Sequence, residues 1–333
     1  MVEYTKLGPG SYTFMVKAFY KNSSYSNPPS AVRLTIAPHY WTQPIVYIPI
    51  CVGIVVVVAF IYLATKLITQ RRHSAVLRAE LRQKEEAETQ RVKSELSEAR
   101  NMQMSLLPKT APDIHKFELS GVSMPANEVG GDFYDYLAIE DNLIGIALVD
   151  VSGKGLRGAM NAVMAYGMLH EVAKAESKAD TILARLNIDL HPMLQDSMFA
   201  ALNLGILNPQ TKQVQYSNAG QSYPIIKRDG KVEGVELGGF PLGIIYDAAY
   251  DEKIIDLYEG DYLIFYTDGL TDAMNEAEQV YGFDRLNDTI RKAPATLSAE
   301  EMVQHVLQDV NAFVGESKQY DDMTLIVLRC MGN

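Results

Sequence analysis

The sequence predicts an α+β protein in which a β-sandwich flanked by helices occupies residues 110–333. Ahead of it lie an all-β fragment at 1–42, one transmembrane helix at 45–68 and a short coiled-coil linker at 70–107. Three observations carry this reading. Strand-like and helix-like runs alternate after Lys116, with strands in the majority. Turn sequences such as Asn208-Pro209-Gln210-Thr211 and Arg228-Asp229-Gly230-Lys231 join neighbouring strands, which makes the pairing largely antiparallel. An uninterrupted apolar run lies upstream. Many strands and few helices are best buried as two packed sheets with helices outside.

In the first segment Tyr12, Phe14, Val16 and Ala18 alternate onto one face, and Val32, Leu34 and Ile36 form a second alternating run after Asn27-Pro28-Pro29. Period two with turn punctuation is strand chemistry. Two or three strands bury too little to stand alone, so the segment reads as the end of a larger β-sandwich. Its text, L-x-P-G-x-Y-x-F-x-V-x-A with a closing I-A-P-x-Y-W, resembles the C-terminal half of the Y_Y_Y domain of some bacterial membrane receptors. That resemblance implies a sensor whose earlier strands are missing, through truncation of a longer receptor or a misplaced start.

Residues 45–68 are apolar apart from Thr65 and Lys66. At about 1.5 Å per residue the run is long enough for a hydrocarbon core of about 30 Å. Tyr40 and Trp41 precede it, at headgroup level, and Lys66, Arg71, Arg72 and Arg78 follow. The positive-inside rule then predicts a single-pass protein of the cytoplasmic membrane, N-terminus outside and the sandwich in the cytoplasm. The run lies too far from Met1, without a basic leader, for an ordinary signal peptide.

Residues 70–107 are rich in Glu, Lys, Arg and Gln, and Val92, Leu96, Ala99, Gln103 and Leu106 follow 4-3-4-3 spacing. That is the seam of a short coiled coil through which a homodimer would form. A solvated single helix held by i,i+4 ion pairs is the alternative. Pro108 and Pro112 end the helix.

Bulk properties narrow the function. A formal net charge of −11 argues against a nucleic-acid partner, which needs a basic face. The two cysteines, Cys51 and Cys330, form no CxxC pair and the six histidines form no ligand pattern, which excludes a disulfide scaffold and a structural zinc site. In the sandwich, strand-like text covers 117–124, 132–139, 142–151, 198–207, 213–220, 223–228, 252–258, 261–269 and 323–330. Helix-like text covers 155–174, 179–190, 283–293 and 298–314.

Acidic motifs sit where strands begin or end: Gly130-Gly131-Asp132, Asp150-Val151-Ser152-Gly153-Lys154-Gly155, Thr267-Asp268-Gly269 and Asp321-Asp322-Met323-Thr324. Hard divalent cations take oxygen ligands and keep several waters, so a few short carboxylates on rigid strand ends suffice. Asp-Gly and Asp-Asp pairs also serve as turns and caps, and spacing alone leaves both readings open. Gly153-Lys154-Gly155 opens a helix, where it either cradles phosphate through backbone N–H groups or packs the helix onto the sheet.

Residues 99–328 resemble the SpoIIE/RsbU-type branch of the metal-dependent PPM (type 2C) serine/threonine phosphatases. The matching text runs in family order: A-R-N-M-Q-M-S-L-L-P, V-G-G-D-F-Y-D, D-V-S-G-K-G, M-F-A-A-L, Y-S-N-A-G-Q, P-L-G-I, Y-T-D-G-L-T-D-A and D-D-M-T-L-I-V-L. The resemblance implies a PPM-type sandwich and two divalent cations, Mn²⁺ or Mg²⁺, that activate water against phosphoserine or phosphothreonine without a protein nucleophile. It implies that Asp150 bridges both cations, the Val151 carbonyl adds a ligand, Asp132 completes one side, and Asp268 and Asp321 hold the other. Asp321 is favoured because it stands two before Met323, as the family's ligand does; Asp322 is second choice. The implied partner is a phosphorylated regulator, such as an anti-anti-sigma factor of the STAS type.

Two departures stand out. Gln221 replaces the histidine of N-A-G-H, which weakens a local hydrogen bond away from the metals, and Asp272 replaces a glutamate. Gly130-Gly131-Asp132-Phe133 superficially resembles the GGDEF loop of diguanylate cyclases, but Phe133 stands where that chemistry needs an acid. A non-catalytic, pseudophosphatase-like binding module is the rival from another class; retention of every ligand type opposes it.

Overall fold

The computed structural model describes residues 5–17, 29–39, 44–153, 155–194 and 198–332. Ala18, Asn27, Pro28, Tyr40, Trp41 and Lys154 lie outside the described residues. Two units are distinguished, Met1–Ala87 and Glu88–Asn333.

In the first unit, β1 (Gly10–Val16) and β2 (Ser30–Ile36) form an antiparallel pair. Register sets Tyr12 opposite Leu34 and Phe14 opposite Val32, so the alternating positions meet across the strands. Met15, Val16, Val32 and Leu34 remain exposed. Helix α1 (Pro44–Met104) is continuous, although the sequence divides it into a span and a linker. No breaker falls between Ile68 and Gln70, and Pro49 does not stop it. Among the described residues it is the one helix long and apolar enough to cross a membrane. It ends at Met104 rather than Leu107. Ser105 and Leu106 form a turn, with N–H groups donating to the Asn101 and Gln103 carbonyls. Leu106, predicted as a seam position, therefore lies beyond the helix.

The second unit contains β3 (Phe117–Met124), β4 (Asp132–Ala138), β5 (Ile144–Val151), α2 (Leu156–Ala175), α3 (Ala179–Leu190), β6 (Ala200–Asn208), β7 (Gln213–Ala219), β8 (Ile225–Arg228), β9 (Lys231–Gly234), β10 (Lys253–Asp256), β11 (Tyr262–Tyr266), α4 (Asp268–Thr271), α5 (Gly282–Lys292), α6 (Ala299–Val314) and β12 (Met323–Cys330). They build two five-stranded antiparallel sheets, ordered β10-β7-β6-β5-β4 and β3-β12-β11-β8-β9.

Side-chain alternation explains the layers. In β5, Ile146 and Leu148 enter the core between the sheets, while Ala147, Val149 and Val151 pack outward against α2 and α3. In β12, Ile326 and Leu328 face inward, and Leu325 and Val327 pack outward against α5 and α6. The result is helix, sheet, sheet, helix, with the central strands buried on both faces. β9 was not legible because Lys-Val-Glu-Gly is mostly polar and exposed.

Two local devices fix the outer helices of the second sheet. The buried Lys227 of β8 donates from Nζ to the Ile290 carbonyl at 2.9 Å and to the Ala293 carbonyl, at the C-terminal end of α5, where a cation is favoured. Helix α6 opens on a capping box: Ser298 Oγ accepts the Glu301 N–H at 3.1 Å, and Glu301 accepts the Ser298 N–H at 2.7 Å. Ser298→Ala should lower the stability of the Glu88–Asn333 fragment by about 1 kcal/mol. Urea unfolding checks this; an unchanged midpoint would show that the cap does not hold the helix.

Candidate metal centre

Inner-face alternation brings Asp132, Asp150 and Asp322 to one end of the inter-sheet core, where Asp268 and Asp321 act on the Asp150 charge. Asp150 follows Ile146 and Leu148 on the inner face of β5, and Asp132 precedes the inward Tyr134 and Tyr136 of β4. Register pairs Asp132 with Asp150 across the two strands. From the other sheet, Thr267 continues the inner face of β11 beyond Phe265, while Thr324 and Asp322 continue that of β12 below Ile326.

Asp132 is buried, and one of its oxygens, Oδ2, accepts both the Thr267 and the Thr324 hydroxyl at 2.8 Å. The Thr324 N–H donates to Thr267 Oγ1 at 3.0 Å, so the two threonines form one clamp joining the sheets. Asp322 Oδ1 accepts the Ala126 N–H at 2.8 Å, and its Oδ2 accepts the Gly131 N–H at 2.7 Å and the Asp132 N–H at 3.3 Å. Both carboxylate oxygens of Asp322 thus hold the backbone that presents Asp132. Asp321 is exposed, and its Oδ1 accepts only the N–H of Asp322 at 3.0 Å among the bonds described. Asp268 is exposed at the first turn of α4.

Glycine is required at the approach. A Cβ on Gly130 would collide with the Asp322 carboxylate, and one on Gly131 would collide with the Val151 carbonyl, the predicted backbone ligand. The end of α1 reaches the same loop: Gln103 Nε2 donates to the Gly130 carbonyl at 2.7 Å, and Gln103 Oε1 accepts the Gly130 N–H at 3.2 Å. The polar seam position predicted at Gln103 is therefore engaged by the loop that carries Asp132.

The acids raise one another's affinity for protons. Burial, then Asp268 and Asp321, push the Asp150 carboxyl up to about 7, with a hydrogen bond to Asp132 acting the other way and Asp322 adding to the rise. Asp132 is held well above the usual carboxylate range by burial, then Asp150 and Asp322. Burial, Asp272 and Asp321 raise Asp268. Among the described residues no three His, Cys, Asp or Glu side chains already stand close enough to enclose an ion. The donor set nevertheless fits divalent cations: it is all oxygen, and the charges acting most strongly on Asp150 are all negative.

Among the described residues, the remaining predicted features take no part in this cluster's hydrogen bonds. Gly153 packs its carbonyl against Gly158 of α2, the helix-packing role predicted for that turn, while Lys154 lies outside the described residues. Gln221 takes its hydrogen bonds with Asn218 and Ser222. Thr267, Thr324 and Gln103 stand within recognised motifs, but spacing gives no sign of their partners.

The family model for Stage II sporulation protein E (SpoIIE) matches residues 140–331. The chain belongs to the SpoIIE family. RsbU of Bacillus subtilis, a phosphoserine phosphatase, is 28% identical over 244 residues, covering 72% of this chain and 71% of RsbU. Protein IcfG of Synechocystis sp. is 26% identical over 263 residues, covering 70% of this chain but 41% of IcfG, so the match spans under half of that relative. The solved SiaA-PP2C domain of Pseudomonas aeruginosa superposes with a TM-score of 0.66 at 22% identity, covering 72% of this chain and 98% of that domain. The sandwich is accordingly of the PP2C type. The SpoIIE match includes Asp150, Asp268 and Asp321, whereas Asp132 and Gln103 lie upstream of it.

The carboxyl shifts set a pH dependence. Asp150 has a folded pKa above its unfolded value, so its stabilisation is present below the ordinary carboxylate range and is lost as pH rises through about 7. Glu88–Asn333 in chelator should melt several degrees higher at mildly acidic than at mildly alkaline pH. Asp150→Asn should raise the alkaline Tm and flatten the difference. Calorimetry that finds wild-type stability rising with pH, and no change in the variant, would contradict this electrostatic picture.

Proposed function

We propose that this protein is a membrane-anchored, metal-dependent serine/threonine phosphatase that dephosphorylates a cytoplasmic regulatory protein. The observation that carries the proposal is the meeting of Asp132, Asp150, Asp268 and Asp321 at one end of the inter-sheet core. RsbU, a relative matched over most of both chains, is a phosphoserine phosphatase, which supports the same reaction here. Asp150 and Asp132 would hold one cation, with the Val151 carbonyl beside them, and Asp150, Asp268 and Asp321 the second. When bound, the pair of Mn²⁺ or Mg²⁺ ions would supply Lewis acidity toward water and toward the phosphoryl oxygens.

The chain's own residues set that chemistry up. Thr267 and Thr324 fix Oδ2 of Asp132, and the Asp132 carboxyl shares a hydrogen bond with that of Asp150. Asp322 fixes the loop behind Asp132, which supports a positioning role for it and favours Asp321 as the ligand. The resemblance to SpoIIE/RsbU-type enzymes implies an anti-anti-sigma factor of the STAS type as substrate. The exposed apolar stretch of α1, followed by Lys66, Arg71, Arg72 and Arg78, supports a span with the phosphatase on the cytoplasmic side. Signals reaching the end of α1 would act through Gln103 on the Gly130–Asp132 loop, and a dimer seam at Val92, Leu96 and Ala99 would carry them.

Glu88–Asn333 should hydrolyse p-nitrophenyl phosphate with Mn²⁺, and Asp150→Ala should reduce turnover to background. No turnover of this ester or of a phosphoprotein would favour a module that only binds its partner. Gln103→Ala and Leu96→Glu should each change turnover several-fold with little change in Tm. Rates equal to wild type in both would remove the relay.

A further inference from the structure

A cleft of about 410 Å³ opens where the β7–β8 connection meets α5. Tyr223, Tyr266 and Phe283 give it aromatic walls, Gln221 and Asn287 bring side-chain amides to it, and none of its lining residues is charged. Gln221 is only 7% exposed. Its orientation is fixed, because Oε1 accepts the Ser222 N–H at 2.8 Å and only the oxygen of an amide can do so. Nε2 is the other end, and it is buried with no hydrogen-bond partner. Asn287 Oδ1, on α5, is also buried and unpartnered. Two such atoms on residues that line one cleft are uncommon in a folded protein, where buried polar groups are nearly always satisfied.

The turn that carries Gln221 is held rigidly. Asn218 Nδ2 donates to the Gln221 carbonyl at 3.0 Å and to the Leu237 carbonyl at 2.9 Å, while its Oδ1 accepts the Gln221 N–H at 2.8 Å. The cleft also lies at the same end of the sandwich as the carboxylates. Tyr266 immediately precedes Thr267, which holds Asp132, and Asp268 follows. Ala219 pairs with Leu202, and Leu202 with Val149, the neighbour of Asp150.

From this geometry we infer that the cleft binds an extended segment of the protein substrate flanking its phosphorylated residue. A main-chain carbonyl of that segment accepts from Gln221 Nε2, a main-chain N–H donates to Asn287 Oδ1, and an apolar side chain lies against Tyr223 and Phe283. A peptide amide offers an acceptor and a donor together, and the uncharged lining disfavours a second phosphate, a nucleotide or a further cation. Tyr223 and Phe283, 42% and 55% exposed, are the aromatic surface such a side chain would cover. The inference rests on the phosphatase reading of the metal centre, and it assigns substrate recognition to residues that hold no metal.

The test uses the full chain in detergent with Mn²⁺ and two probes: p-nitrophenyl phosphate and a short phosphoserine peptide flanked by leucines. Gln221→Glu keeps the acceptor for Ser222 and removes the donor; Asn287→Leu removes the acceptor on α5. Each should raise KM for the peptide on the order of tenfold, as expected for one buried hydrogen bond. Both should leave kcat/KM for the small ester unchanged, and Gln221→His, which retains an N–H donor, should recover part of the peptide affinity. An unmoved peptide KM in both variants overturns the inference. So does a parallel loss on both probes, which would place these residues in support of the metal centre. Absence of turnover by the wild-type chain on either probe would instead bring down the phosphatase reading and this inference with it.

Discussion

Carboxylates drawn partly out of water and set facing one another resist ionising together. In this fold Asp132 and Asp150 are directly opposite on neighbouring strands, with Asp268 and Asp321 arriving from the other sheet. Coulomb repulsion between like charges strengthens as the surroundings become less polar, so the cluster either keeps protons or gathers cations. The Asp150 carboxyl, pushed up to about 7, places that choice within the ordinary range of cellular pH. A domain that needed only a stable core would gain by replacing these acids. Their retention at the end of an otherwise apolar layer makes sense as the mark of a site.

The rest of the second unit serves to hold those acids still. Strand register sets the Asp132–Asp150 pair, the threonine clamp ties Asp132 to the opposite sheet, and Asp322 ties the preceding loop to β12. Gly130 and Gly131 are needed because Asp322 and the Val151 carbonyl leave no room for a side chain. Gln103 adds a contact of another kind, since it joins the last turn of a long helix to the loop one residue from Gly131. A shift of that helix end would move backbone hydrogen bonds directly behind Asp132, with no chain of intermediate residues required.

Much of this was legible in the sequence because β-strand alternation has period two. Ile146, Leu148 and Asp150 share a face, as do Tyr134 and Asp132, so the acids extend an apolar face rather than interrupt it. Most strand limits followed from the same patterning, and the helices from their own amphipathic text, whereas the capping box that opens α6 emerged only in the structure. The clamp did not, because Thr267 and Thr324 meet Asp132 only once the two sheets are stacked. Adjacent Asp321 and Asp322 differ in burial and in bonding, the first exposed and the second buried against the backbone of Ala126 and Gly131, and that difference depends on a register that spacing cannot supply. Gln103 kept its heptad spacing, yet its amide is taken up by Gly130. The span and the linker, separated in the sequence by composition, run on as one helix, because a change from apolar to charged residues alters a helix's surroundings without breaking its backbone.

Convergence of these acids on a pair of cations can be seen in an anomalous-difference map from crystals of Glu88–Asn333 grown with Mn²⁺. Two peaks are expected beside the Asp132, Asp150, Asp268 and Asp321 carboxylates, with Asp322 still bonded to the backbone of Ala126 and Gly131. A map with no peak at that end of the sandwich, or with manganese held by Asp322 in place of Asp321, would contradict that convergence.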